Sequence, residues 1–203
     1  MTYDKLPSKS SVEKSISSLK SNGIDAYFVH NPEEAKKKVL EIIPQRASVM
    51  TMTSVTLDKA GVIDEINNSG KYDSIRNKTM KMNPDKEGLE MQKLIAAPEW
   101  VIGSVHAVTE DGKVMIASNT GSQLPAYAYG AGKVIWVVGA QKLVKNVDDG
   151  MKRIYEHSLP LESERARKAY GVPGSSVNKI LIVNKEVTPG RITLIFVNEV
   201  LGF

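Results

Sequence analysis

The chain has 203 residues, is 41% hydrophobic and contains no cysteine. That is long enough for a sizeable core, and it excludes disulfides, thiolate zinc sites and a cysteine-ligated iron–sulfur cluster within the chain itself. Its net charge is +4, but Lys and Arg alternate with Asp and Glu, a pattern that argues against a nucleic-acid-binding strip.

No apolar run approaches the ~20 residues of a membrane span, and the opening residues lack the apolar core of a signal peptide. A cytoplasmic location is therefore expected, without a membrane or nucleic-acid partner. Along the chain, Val12, Ile16 and Leu19 recur at helical spacing, and Gly23 is placed to stop that helix. A strand over 25–29 leads to a helix over 32–43, with Asn31 as N-cap and Pro32 at its first position. A strand over 47–51 and a helix over 56–66, interrupted by Gly61, come next. Residues 72–87 are polar without a clear period and read as irregular.

A helix over 88–97 enters the most informative block, residues 99–140. It holds three apolar, largely β-branched runs, 100–102, 114–117 and 134–138, separated by polar connectors at 109–112 and 118–122. Such runs suit strands buried on both faces, and they are expected to be neighbours in one sheet. Further on, 148–157 is helical with Val147, Met151, Ile154 and Tyr155 on one side, and 163–170 is a charged helix ended by Gly171. Strands over 179–183 and 191–197, joined through Thr188-Pro189-Gly190, suit a terminal antiparallel hairpin. The βα alternation predicts an α/β fold, a mainly parallel sheet covered by helices. No linker-like stretch divides 1–203, so one domain is expected.

Ligands of open α/β sheets bind at the carboxyl ends of the strands, where the polar connectors lie. Asn119, Thr120, Gly121 and Ser122 follow a strand and offer backbone N–H groups, hydroxyls and no Cβ at Gly121, the makings of an anion cradle or of an ordinary capped loop. Ser54 and Thr56 can cap the following helix, contact the same ligand, or do both. Gly103 and Ser104 end the Trp100 strand beside them and complete the expected ligand-binding set. Glu110 is the candidate base or nucleophilic carboxylate. The adjoining Asp111-Gly112 is equally a hairpin turn, which would aim Glu110 into water. His106 is the candidate proton relay, against a plain structural histidine. If both are catalytic, they share a pocket at the carboxyl end of the Trp100 strand. Arg165 can clamp an anion or join a solvated charged face. Tyr127 and Tyr129 cannot share one helix face. There is no His-Glu-x-x-His, no Gly-Lys-Ser/Thr and no Gly-x-Ser-x-Gly, so neither metal nor cofactor is identifiable.

The order of these features resembles the LUD domain, named for lactate utilisation. That family shows a strand ending in Gly, then Glu-x-Gly, a second strand, a Gly-rich turn and a Pro. Here these are Gly103, Glu110 with Gly112, 114–117, Gly121 and Pro125. Ser54-Val55-Thr56 before Gly61 resembles the family's Ser-rich segment at a helix start. Two positions depart from the pattern: Val105 replaces an acidic residue, and Ser122-Gln123 replaces a basic pair. The resemblance implies the fold shared by sugar-phosphate isomerases, CoA transferases and the ring-closing ligase of formyl-folate. It also implies a place in bacterial organic-acid utilisation. The expected function is binding of a small anionic metabolite. Two alternatives stand beside it: an enzyme acting on a sugar phosphate or acyl-CoA through Glu110 and His106, and a non-catalytic subunit assembling with iron–sulfur oxidoreductase partners. Leu201 and Phe203 near the end suggest a homodimer, the commonest closed assembly.

Overall fold

The computed structural model describes residues 3–203. In chain order the first elements are α1 (Lys9–Ser21), β1 (Asp25–Val29), α2 (Pro32–Ile42), β2 (Ser48–Thr51), α3 (Val55–Lys59) and α4 (Val62–Asn68). Then come β3 (Asp73–Ser74), α5 (Ile75–Thr79), α6 (Pro84–Ala96), β4 (Trp100–Gly103), β5 (Ala107–Thr109) and β6 (Val114–Ser118). The remainder is β7 (Lys133–Gly139), β8 (Leu143–Val144), α7 (Val147–Arg153), α8 (Leu159–Tyr170), β9 (Lys179–Val183) and β10 (Ile192–Val197). Two π-helical turns, Ala126–Gly130 and Ile154–Ser158, precede β7 and α8.

Six strands form a wholly parallel sheet in the order β1-β10-β7-β4-β2-β3. Its centre is buried on both faces, which is why β7 and β10 read as unbroken apolar runs. One face packs on α2, α3 and α4 through Val39, Leu57 and Ile66; the other packs on Leu19 of α1 and Ile75 of α5. Each such side chain contributes about 1.5–3 kcal/mol on burial. The helix starts follow their caps. Asn31 Oδ1 accepts from the Glu34 N–H at 2.8 Å, Ser54 Oγ accepts from the Leu57 N–H at 3.3 Å, and Gly61 supplies the left-handed turn (φ 64°) between α3 and α4.

A second, four-stranded sheet runs β8-β5-β6-β9. Alternation along β6 sends Val114 and Ile116 into the main core, and Met115 and Ala117 toward Ile154 on the far side. The 114–117 run is thus a buried strand, but it does not neighbour β4 and β7. The chain leaves the main sheet after β4, and the tight Asp111-Gly112 turn (Gly112 φ 79°) then folds β5 antiparallel onto β6 within the second sheet. The expected terminal hairpin does not form either: β9 pairs with β6, whereas β10 inserts between β1 and β7. Residues 72–87 are not irregular; they form β3, α5 and the start of α6, each too short or too shallowly packed to carry a period. Leu201 is buried against its own chain, with its N–H donating to Gln141 Oε1 at 3.2 Å, so it presents no apolar face to a second subunit.

Among the described residues, no helix is long and apolar enough to cross a membrane. Nor, among the described residues, is any group of three or more His, Asp or Glu placed to hold a metal ion.

Candidate functional site

The chain passes from the six-stranded to the four-stranded sheet at two adjacent places. Ser104–His106 link β4 to β5, and a 3-10 turn, Ala140–Lys142, links β7 to β8. Because β4 pairs with β7 and β5 pairs with β8, the two crossings lie side by side at the carboxyl ends of β4 and β7. A cavity of about 710 Å³ opens there. Ser54, Thr56, Ser104, His106, Asn119 and Thr120 all line it, so the sequence brings six of its ten candidates together.

Lys142 ties the crossings to each other. Its Nζ donates to Thr56 Oγ1 at 3.0 Å, Ser104 Oγ at 3.1 Å and the Val105 carbonyl at 3.1 Å. All three partners are uncharged. Burial, with Arg153 as a further cationic neighbour, pushes the Lys142 amine well below the ordinary lysine range. Arg153 is fully buried behind His106; its Nη1 donates to the His106 carbonyl and to Ser158 Oγ. Its Nε and Nη2 have no partner among the described residues. Burial brings it down to about 10, opposed by the field of Asp4 and Tyr3.

His106 Nδ1 accepts the Ala117 N–H at 3.1 Å, so in the neutral ring the proton sits on Nε2. Desolvation, then Lys142 and Arg153, push its pKa down to about 3. The imidazole therefore stays neutral at physiological pH, with its lone pair engaged, and acts as a fixed donor instead of the expected proton relay.

Thr56 Oγ1 donates to the Leu201 carbonyl at 3.1 Å and accepts from Ser104 Oγ at 3.3 Å. Phe203, just beyond, lines the cavity. On the outer wall Arg165 meets Glu162 in a bidentate pair, with Nε–Oε2 at 2.7 Å and Nη2–Oε1 at 2.6 Å. Arg165 also lies 5.3 Å from the Tyr170 ring centroid. The Glu162 carboxylate holds the guanidinium above its usual range.

Four candidates fall outside the cavity lining. Glu110 sits at the far end of β5 from His106, where the hairpin turn carries it to Lys14 at 2.8 Å. That pairing lowers its pKa, leaving an anchored carboxylate with no route to the cavity. Gly103 makes room for Tyr127, whose side chain fills the space of a would-be Cβ. Gly121 (φ 88°) and Ser122 belong to a loop closed on itself. Ser118 Oγ accepts the Gly121 N–H at 2.8 Å, and Thr120 Oγ1 accepts the Ser122 N–H at 3.3 Å. Those N–H groups are not free to cradle an anion.

Lys142 and Arg153 were missed by motif reading. The signal for Lys142 was a lysine four positions after the buried 134–138 strand, beyond its carboxyl end. For Arg153 it was a cation within the helical pattern of 147–157, where the buried positions are Gly150, Arg153 and Ile154, and Tyr155 is exposed.

A DUF162 family protein from Deinococcus radiodurans has a similar structure, with 12% identity and a TM-score of 0.51, covering 93% of this chain and 95% of its own. A D-ribose-5-phosphate isomerase in complex with phospho-erythronic acid aligns at 11% identity and a TM-score of 0.42, over 82% of this chain and 94% of its own. No curated protein matches the chain. The LUD domain model matches residues 12–197, almost the whole length and every element from α1 to β10. The chain belongs to the LUD domain family, and with it to a role related to lactate utilisation.

Proposed function

We propose that the protein binds a small anionic metabolite of organic-acid utilisation in the cavity at the sheet crossings. One observation carries this reading: Lys142, a buried amine on the cavity wall, has only uncharged partners, and the cation nearest to it is the buried Arg153. An anion would bring the first charge opposite to Arg153 to a place where charge is poorly screened, and would draw a proton onto the Lys142 amine. The Ser54 hydroxyl and the Nε2–H of His106 add neutral donors around it. Of the acids on the wall, Glu162 is already paired with Arg165, and Asp58, on α3, makes no ion pair with Lys142 among the described residues.

Thermal-shift and calorimetric titration with phosphate, L-lactate, pyruvate, ribose 5-phosphate and CoA test this. A true ligand at 100 times its Kd stabilises by about 2.7 kcal/mol. Lys142→Met, folded by circular dichroism, is expected to lose that response. Absence of any shift across the panel would reject the reading.

A further inference from the structure

We propose that Ser104 is a nucleophile activated by Lys142, and that the cavity supports acyl transfer from a carboxylic ester or thioester to the Ser104 hydroxyl, followed by hydrolysis. This goes beyond anion binding and does not depend on it.

A serine hydroxyl is a weak nucleophile unless a base within hydrogen-bond reach removes its proton. Ser104 Oγ lies 3.1 Å from Lys142 Nζ, and both residues face the cavity. A lysine serves as base only as the free amine, which a carboxylate partner would prevent. None is hydrogen-bonded to Lys142. The groups facing it are Thr56 from α3, Ser104, Val105 and His106 from the first crossing, and Arg153 from α7. His106 is neutral, and Arg153 is a second cation that favours the deprotonated amine.

As the free amine, Lys142 keeps its donations to Thr56 Oγ1 and to the Val105 carbonyl, and rotation of the Ser104 hydroxyl away from Thr56 Oγ1, which it now meets at 3.3 Å, turns its proton onto the Nζ lone pair 3.1 Å away. The neighbouring hydroxyl is no substitute nucleophile. Thr56 is 1% exposed, and its own proton is committed to the Leu201 carbonyl. Ser104 is the more open of the two. The Nε2–H of His106, fixed by the Nδ1 contact to Ala117, is the donor available to a developing oxyanion.

In the first step Ser104 Oγ attacks the carbonyl carbon while its proton passes to Lys142 Nζ. The carbon–oxygen or carbon–sulfur bond of the leaving group breaks, and the departing alcohol or thiol takes that proton from Nζ. Water then adds to the acyl-serine, giving a proton to Nζ. Collapse releases the carboxylic acid, and the proton returns from Nζ to Ser104 Oγ. No oxidant or reductant takes part.

The test uses the full chain with p-nitrophenyl acetate and a fluorophosphonate probe, read by intact mass and peptide mapping. One adduct at Ser104 is expected, with a labelling rate that has reached its plateau below the ordinary lysine range. Ser104→Ala should carry no adduct. Lys142→Arg keeps the donors but cannot accept a proton, and should label at least ~100-fold more slowly. Should Lys142→Arg not fold, the wild-type pH profile decides: a rate that only begins to rise in the ordinary lysine range, near 10.5, overturns the proposal. So does absence of a Ser104 adduct, or undiminished labelling in folded Lys142→Arg. Anion binding is read separately by the thermal shift, so either conclusion can fail alone.

Discussion

The Tyr127 hydroxyl occupies the space into which a side chain at Gly103 would project. Tyr127 is held there from two sides. Its ring meets Trp136 edge-on at 5.6 Å, and Arg191 Nη2 donates to its carbonyl at 3.1 Å. Gly103→Ala should therefore overpack the end of β4 and destabilise by about 1–3 kcal/mol. In a Tyr127→Leu background, which removes the ring end, the same change should cost at least about 1 kcal/mol less. Urea denaturation of the four proteins measures the coupling, and simple additivity would mean that Gly103 is not retained for Tyr127.

Arg191 is the strut of the Ala126–Gly130 turn. Its Nε donates to the Ala131 carbonyl at 3.0 Å, Nη2 donates to the Ala126 carbonyl at 3.0 Å, and Nη1 meets Glu186 at 2.7 Å in a pair with little solvent access. Arg191→Met leaves the Glu186 carboxylate and three carbonyls without their donor. A loss of about 3–5 kcal/mol is expected, measurable as a fall in the denaturation midpoint. Glu186→Gln, which retains an acceptor, should cost less.

Acid sensitivity follows from His106. The unfolded residue takes up its proton near 6.5, the folded one only near about 3. Between those values acid favours the unfolded chain. The contribution of neutral His106 is complete above pH 6.5 and is lost as pH falls toward about 3, at up to about 1.4 kcal/mol per pH unit. His106→Gln should flatten melting temperature against pH over that window. An unaltered slope would show that the imidazole is not held neutral.

Glu110→Gln separates the hairpin carboxylate from the cavity. The Lys14–Glu110 pair is largely solvated on the lysine side, so its removal should cost less than about 1 kcal/mol. The response to anions and the labelling of Ser104 should be unchanged. A 10-fold loss in either would restore Glu110 to the site.

The helix starts were legible because caps are local chemistry: Asn31, Ser54 and Gly61 act within three residues of where they stand. The apolar run of β7 was legible because a central parallel strand is wet on neither face. Sheet membership was not, since 114–117 and 134–138 are equally apolar and the crossing at 104–106, with the Gly112 turn after it, separates their fates. Half of the site could be read from polar residues after strands, as with Thr56, Ser104 and Thr120. Lys142 and Arg153 could not, because a buried cation is written with the same letter as a solvated one. Their role comes from contacts across 37 to 86 positions of sequence.

The paired crossings also have a mechanical consequence. Everything that joins β4 to β5 and β7 to β8 passes through six residues, 104–106 and 140–142, and Lys142 pins one triplet to the other. The cavity opens on that seam, so a ligand seated there touches both crossings at once, through Ser104 and His106 on one and Lys142 on the other.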